Sequence, residues 1–153
     1  MVSVLDTPFE MSLRVLLLIS ELPRRIITEE MLTIADTFSI YGAKFGITDK
    51  NLHGGNAHIF DEYGARRELI KKAVKLLGLR GLINVSQNED GFSFTISSTG
   101  RDYVNSLVSE YAEMYRKAAK AVREFIADKP ERELFTLIIK SHMSYSGGDR
   151  GDG

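Results

Sequence analysis

Hydrophobic residues along most of the chain recur at the three- and four-residue spacing of amphipathic helices, and one short stretch alternates as strands do. Thr7 and Pro8 are typical of a helix start, so a first helix is predicted from there to the residue before Pro23. Thr28 is a suitable cap for a second helix that runs to about Tyr41. The spacing therefore predicts a mainly helical protein.

The segment Ala65–Gly81 is predicted to be a further helix with two unlike faces. Its hydrophobic residues fall on one side, and its basic residues Arg67, Lys71, Lys72 and Lys75 fall on the other. Arg67, Lys71 and Lys75 follow one another at intervals of four residues. Like charges four residues apart on a helix cost roughly a few tenths of a kcal/mol per pair. Such a face therefore predicts contact with phosphate or with an acidic protein surface, although a merely solvated face is the plain alternative. Arg66 lies nearer the hydrophobic side and is expected to pair with a carboxylate or to extend towards water.

The stretches before and after the turn Asn88–Gly91 alternate between hydrophobic and polar residues, which predicts a β-hairpin. A basic helix followed by a hairpin is the order of elements in a winged helix-turn-helix. Glu89 and Asp90 stand where a DNA-binding wing would carry Arg or Lys, and acids repel phosphate. This turn favours a protein partner over DNA.

The predicted fold class is mainly α (α+β), a winged helix-turn-helix-like domain with a two-stranded hairpin and a long C-terminal helix. That long helix is predicted over Gly100–Ala127, and a short final helix over Glu131–Ser141. The segment Gly42–Gly64 is predicted to be a long loop that packs down through its hydrophobic residues and makes functional contacts. Residues 1–145 are expected to form one domain, followed by a flexible tail over 146–153.

Composition excludes several classes of protein. The chain of 153 residues has a formal net charge of −1, which argues against a protein that coats DNA over its whole surface. It has no cysteine, so disulfides and thiolate metal sites are ruled out. The longest hydrophobic run, Val15–Ile19, is too short to span a bilayer. We expect a soluble cytoplasmic protein without membrane contact.

No pattern of catalytic or metal-binding residues is evident. His53 and His58, with Asp61 and Glu62 nearby, fit no standard zinc spacing, so a structural role is favoured. The glycines of the long loop do not form a phosphate-binding loop, and no serine or threonine lies in a nucleophile-elbow context. We expect a protein that is not an enzyme and has no cofactor.

The first helix and the predicted long helix carry more hydrophobic residues than one buried face needs. This excess has two interpretations, the core of this domain or a surface for a partner, and we expect both. The residues predicted to contact a partner lie on the first helix, in the long loop and on the long helix: Leu13, Leu17, Asn51, Leu52, His53, Tyr111 and Tyr115.

Four motifs support a family resemblance that covers the chain from Thr7 to about Ile126. They are Thr7–Glu10, Asn51–Gly54, Arg66–Leu69 and Arg80–Ile83. With these motifs the chain resembles the middle component of bacterial ABC-three-component systems, and within that group the small subunit of Lamassu-type antiphage defence.

The resemblance implies a non-catalytic, winged-helix-like subunit of a hetero-oligomer, which bridges an SMC-like ATPase and an effector, often a nuclease. It leaves open whether the basic helix contacts double-stranded DNA or protein. The alternative from the residues alone is a winged-helix transcription regulator that dimerises through its long C-terminal helix and places the basic helix in the major groove.

Overall fold

A computed structural model of the chain describes residues 7–22, 26–53, 59–89 and 91–151, with side chains described as far as Ser141. The described helices and strands are, in chain order, α1 (Pro8–Glu21), α2 (Glu29–Ile40), α3 (Ile59–Leu79), β1 (Ile83–Asn88), β2 (Gly91–Ile96), α4 (Ser98–Ser106), α5 (Glu110–Ile126) and α6 (Glu131–Gly151). The fold is mainly helical with a two-stranded antiparallel hairpin, which confirms the predicted α+β class. No helix in these ranges is both long enough and apolar enough to cross a bilayer.

The first two helices begin where the sequence predicts. The Thr7 hydroxyl accepts a hydrogen bond from the Glu10 amide at 3.2 Å, and the Thr28 hydroxyl accepts one from the Met31 amide at 3.0 Å. Each threonine satisfies one of the amides that a helix start leaves without an internal partner. Thr28 also donates to the Glu131 carboxylate at 3.0 Å, which ties the start of α2 to the start of α6.

Helix α1 lies at the centre of the molecule. Every residue from Arg14 to Ser20 is buried, and the helix contacts α2, α3, α4, α5 and β2. A helix that is surrounded by protein must be hydrophobic on all sides. This accounts for the unbroken run Val15–Ile19. Helix α2 is buried in the same way from Met31 to Ile40, where it packs between α3 and α5.

The hairpin has the predicted position and a two-residue turn, because Asn88 pairs with Gly91. Gly91 has a φ of 114°, a backbone conformation that favours glycine. Val85 is opposite Phe94, and Phe94 is buried against the helices. The Phe94 amide donates to the carbonyl of Ile27 at 2.9 Å, which joins β2 to the segment before α2.

Helix α3 begins earlier than the sequence predicts, so the predicted loop Gly42–Gly64 is too long. The helix starts at Ile59 because Ile59, Tyr63 and Ile70 continue its buried face towards the N-terminus. Gly64, which suggested a loop, lies inside the helix on its exposed side, where a side chain would meet nothing within 4 Å. The described part of the loop is a series of turns that ends at His53.

The single long helix predicted over Gly100–Ala127 is wrong, because α4 and α5 are separate helices. Ser109 caps α5 by accepting a hydrogen bond from the Ala112 amide at 3.1 Å. The Arg116 guanidinium donates to the carbonyls of Val104 and Leu107, at 3.0 and 3.2 Å, and so satisfies the end of α4. The hydrophobic spacing continues across this break, which is why periodicity alone merges the two helices.

Helix α4 begins at Ser98, two positions before the predicted start, because Ser97 is its cap. The Ser97 hydroxyl accepts from the Gly100 amide at 3.0 Å and donates to the Gly81 carbonyl at 2.7 Å. A Cβ on Gly100 would lie 2.0 Å from the carbonyl oxygen of Leu82, so this close approach requires glycine. The contact brings the end of the hairpin back onto the end of α3.

Helix α6 starts at Glu131 as predicted but continues to Gly151, ten residues beyond the predicted end at Ser141. Leu134 and Ile138 are buried and hold the first half of the helix against α2 and α3. The division into a domain over 1–145 and a flexible tail stays a prediction.

Candidate functional site

A buried charged network joins α1, α2, α3 and α5 beneath the candidate surfaces. Arg14 donates through Nε and Nη2 to the two carboxylate oxygens of Asp36, at 3.0 and 2.6 Å. The Tyr115 hydroxyl donates to Asp36 Oδ1 at 2.5 Å, and Arg66 Nε lies 3.1 Å from Asp36 Oδ2. One carboxylate on α2 therefore holds a side chain from each of three other helices.

Electrostatics keep this network in one protonation state at neutral pH. Burial alone would raise the pKa of the Asp36 carboxyl, but the Arg14 charge and hydrogen bond, together with the Arg66 charge, hold that pKa below its usual value. Burial and the Asp36 charge raise the pKa of Tyr115 well above its usual value. Asp36 is therefore an acceptor and Tyr115 a donor across the neutral range.

Arg66 pairs with carboxylates, which is one of the two outcomes that its position nearer the hydrophobic side predicts. Besides Asp36, it lies 3.7 Å from Glu62 Oε2, and its guanidinium lies 5.6 Å from the centre of the Tyr41 ring. The Tyr41 hydroxyl donates to Glu62 at 2.7 Å. Burial and this hydrogen bond raise the pKa of Tyr41 to about 12. These contacts attach the first turns of α3 to the end of α2.

Sequence reasoning missed Arg14 and Asp36, although a signal was present. Each is a charged residue within a run of uncharged residues, and in the structure the whole run is buried. Buried charges are rarely tolerated without a partner, so a basic residue in one apolar helix and an acidic residue in another are candidates for a pair. The pairing itself depends on the packing of the helices.

The basic face of α3, which we define as Arg67, Lys71, Lys72 and Lys75, is exposed to solvent. Arg67 lies 3.6 Å from Glu30 on α2. The three lysines form no ion pair within the part of the chain that the structure describes. Unlike Arg66, the lysines leave their positive charge available to another molecule.

The loop residues Asn51, Leu52 and His53 lie beside α5 and are half-buried. His53 Nε2 and the Tyr111 hydroxyl oxygen are 2.7 Å apart. The side-chain carbonyl oxygen of Asn51 accepts a hydrogen bond from the Ala43 amide at 2.9 Å. The Leu52 amide donates to the Ile40 carbonyl at 2.9 Å. The structure thus brings together four residues that the sequence placed in two distant segments.

A groove of about 400 Å³ lies between this loop and α5. Its hydrophobic lining includes Ile47, Leu52 and Met114, and charged residues stand at its rim. Among the described residues, the lining consists of Ile47, Thr48, Asp49, Lys50, Leu52, Met114, Lys117, Ala118 and Ala121. We call this surface, together with Asn51, His53 and Tyr111, the loop–α5 surface.

Other predicted interface residues lie in the interior. Leu17 is 2% exposed and Tyr115 is fully buried, so both contribute to the core of this chain. Leu13 is partly exposed and lines a small pocket with Phe9 and Tyr103. Of the two α1 residues predicted to contact a partner, only Leu13 therefore reaches the surface.

The predicted absence of a metal site concerns His53, His58, Asp61 and Glu62. His58 lies outside the described residues. Elsewhere in the described ranges, no group of three or more histidine or acidic side chains is arranged to hold a metal ion. His53 is instead in contact with Tyr111.

The helical core, the hairpin and the exposed basic and grooved surfaces describe a small α+β protein with surfaces suited to binding other molecules. Residues 4–148 match the family described as ABC-three component (ABC-3C) system Middle Component 2. The chain therefore belongs to that family, which confirms the resemblance to a middle component. No curated protein and no solved structure matches the chain.

Proposed function

We propose that this chain is a non-catalytic subunit of a cytoplasmic antiphage defence complex, in which it bridges an SMC-like ATPase and an effector, such as a nuclease, through protein contacts. Membership of the middle-component family carries the proposal, because it implies a protein that works with other components. The resemblance to the small subunit of Lamassu-type complexes suggests which components these are.

The placement of the two candidate surfaces supports a bridging role. The basic face lies on α3 and the loop–α5 surface lies on α5, and both helices pack against α1 and α2. A shared core that is fully buried would hold two partners in a defined relative position. Movement of the ATPase could then be transmitted to the effector through contacts that differ between two states.

The loop–α5 surface is proposed to be a docking surface of this subunit. Its hydrophobic groove is rimmed by Asp49, Lys50 and Lys117, an arrangement typical of protein interfaces. The His53–Tyr111 contact fixes the loop next to the groove. Because Tyr111 stacks on Tyr115, which bonds Asp36, the loop is also connected to the buried network.

The transcription-regulator alternative requires the long C-terminal helix to be a dimer seam. The hydrophobic side of α5 is instead used inside the chain, where Tyr115, Ala119 and Val122 are fully buried. The acidic hairpin turn also disfavours phosphate contact. Both observations support the subunit over the regulator.

Co-purification tests the proposal. The tagged chain, co-expressed with a candidate SMC-like ATPase and a candidate effector from the same bacterium, is expected to elute with both in size-exclusion chromatography after nuclease treatment. Ala121→Glu, which places a charge in the groove, is expected to weaken retention of at least one partner, whereas Asn105→Glu on the exposed side of α4 is not. Elution of the wild-type chain alone, or only with nuclease-sensitive material, would contradict the proposal.

A further inference from the structure

The basic face of α3 carries three lysines that form no ion pair with the described residues, whereas its Arg67 lies near Glu30. Lys71 and Lys75 are one turn apart, and Lys72 lies beside them, all three exposed. Glu68 is the acidic residue on the same side of the helix, and it forms no ion pair with them within the described residues. From Arg67 to Lys75 the face extends about 12 Å along the helix axis. That length matches two turns of a partner helix.

A large exposed hydrophobic side chain stands at the end of this face. Leu79 is 82% exposed, and it lies four residues after Lys75 and seven after Lys72, which places it on the same side of α3. Val85 of the hairpin lies next to Gly78, where a Cβ would come within 3.5 Å of Val85 Cγ2. Val85 is 49% exposed, so the hydrophobic surface continues from the helix onto the hairpin.

The hairpin extends this hydrophobic surface on the same face. Val85 pairs with Phe94 and Gln87 pairs with Phe92, and alternate residues of a strand share a face. Phe92 therefore lies on the same face as Val85 and the buried Phe94, and it is itself 50% exposed. Leu79, Val85 and Phe92 are thus exposed hydrophobic residues beyond the end of a row of lysines that form no ion pair with the described residues.

We infer that the basic face of α3, with Leu79, Val85 and Phe92 at its end, binds an acidic protein segment that carries a hydrophobic anchor. Charge complementarity selects the acidic residues, and the hydrophobic end provides the buried centre that protein interfaces use. This inference rests on the proposed function, since the segment would belong to another component of the complex.

Duplex DNA fits this surface less well. A phosphate backbone has no hydrophobic group to cover Leu79 and Phe92, and hydrogen bonds to phosphate would come from basic side chains on the wing. The outer positions of the hairpin are instead uncharged, as at Asn84, Ser86 and Thr95, and Glu89 at its turn is exposed and acidic. An approaching duplex would be repelled at the turn while it was attracted by the helix.

The test compares matched charge reversals in the complete complex. Lys71→Glu, Lys72→Glu and Lys75→Glu are combined, and the control combines Lys120→Glu, Arg132→Glu and Lys140→Glu, which are exposed on α5 and α6. The first variant is expected to bind the partner that contacts α3 tenfold more weakly, on that order or more, whereas the control binds as the wild type does. Both variants are expected to retain the circular dichroism spectrum and cooperative melt of the wild type.

Salt dependence and a hydrophobic variant separate the two parts of the surface. Affinity for the partner should fall as NaCl is raised, and this fall should be shallower in the lysine variant. Leu79→Ser should weaken binding without changing the salt dependence, because it removes hydrophobic contact and leaves the charges in place. Duplex DNA of random sequence is titrated in parallel.

The outcomes distinguish this inference from the proposed function. If the wild-type chain does not assemble with the ATPase and effector, the proposed function fails. If the wild type assembles and the lysine variant assembles equally well, this inference alone is overturned. If the lysine variant loses duplex binding but retains both protein partners in full, the basic face is assigned to DNA, and this inference is also overturned.

Discussion

At the scale of single residues, Asp36 has the largest structural role. It is fully buried and accepts hydrogen bonds from Arg14 and Tyr115, while Arg66 lies within ion-pair distance. An isolated buried carboxylate would be strongly unfavourable, and so would either buried arginine without it. The folded state therefore depends on all of these groups meeting at once, which makes the network a determinant of how four helices are arranged.

Asp36→Asn is expected to destabilise the fold by about 3–5 kcal/mol, because it removes the negative charge that the two buried guanidinium groups of Arg14 and Arg66 share. Urea unfolding followed by circular dichroism measures the loss. Asp128→Asn, in the exposed turn after α5, is the matched control and is expected to change the free energy of unfolding little. Equal stability of the two variants would show that the network contributes no net stabilisation.

The same residue makes a pH-dependent contribution with a defined sign. Because the folded-state pKa of Asp36 is lowered, its contribution to stability is complete above the ordinary carboxyl pKa of about 3.9 and is lost as the pH falls below that value. The free energy of unfolding of the wild type should therefore approach that of Asp36→Asn in acid. A constant difference between the two proteins from neutral pH down through acid unfolding would contradict the assignment.

At the scale of elements, the break between α4 and α5 shapes the molecule most. The chain between Ser106 and Glu110 leaves the helical path, Ser109 starts the next helix, and Arg116 reaches back to the carbonyls at the end of α4. The break lets α4 follow the hairpin while α5 packs across α1 and α2. Without it, one straight helix could not occupy both places, and the loop–α5 surface would not form.

Arg116→Met is expected to destabilise the fold by about 1–3 kcal/mol, because two carbonyls at the end of α4 lose a charged donor. The measurement is again urea unfolding, with Lys120→Met on the exposed side of the same helix as the control. A cost no greater than that of the control would mean that water replaces the guanidinium at no loss.

At the scale of the whole molecule, one core supports two outward surfaces. The interior made by α1, α2 and α5 includes Leu17 and Tyr115, although the sequence pattern predicts both to contact a partner. The exposed surfaces are instead the basic face of α3 and the loop–α5 surface. The proposed bridging role would need this division, because the core must be rigid for contacts on one side to be related to contacts on the other.

Leu17→Asp is expected to abolish cooperative thermal unfolding, because Leu17 is 2% exposed and a buried unpaired charge costs several kcal/mol, of the order of the whole stability of a small domain. Val108→Asp is the control, since Val108 is 76% exposed. If Leu17→Asp melts cooperatively at the wild-type temperature, the Leu17 side of α1 does not belong to the core.

Interactions between neighbouring residues fix several features of this fold, and local patterns in the sequence predict them. Thr7 and Thr28 start helices through hydrogen bonds that reach three residues, and the hairpin turn at Asn88–Gly91 depends on a two-residue connection. The two faces of α3 follow from helical spacing. These signals act within one or two turns of chain, so they hold whatever the rest of the molecule does.

Other features depend on which surfaces meet when the chain folds, and local patterns do not predict them. Ile59 extends α3 because it finds a core to enter, and the pairing of Arg14 with Asp36 joins residues on different helices. The burial of Leu17 and the meeting of His53 with Tyr111 depend on packing in the same way. Spacing shows that a side chain is hydrophobic or charged, but whether it is covered by its own chain or left for a partner is set by long-range packing, which local patterns do not encode.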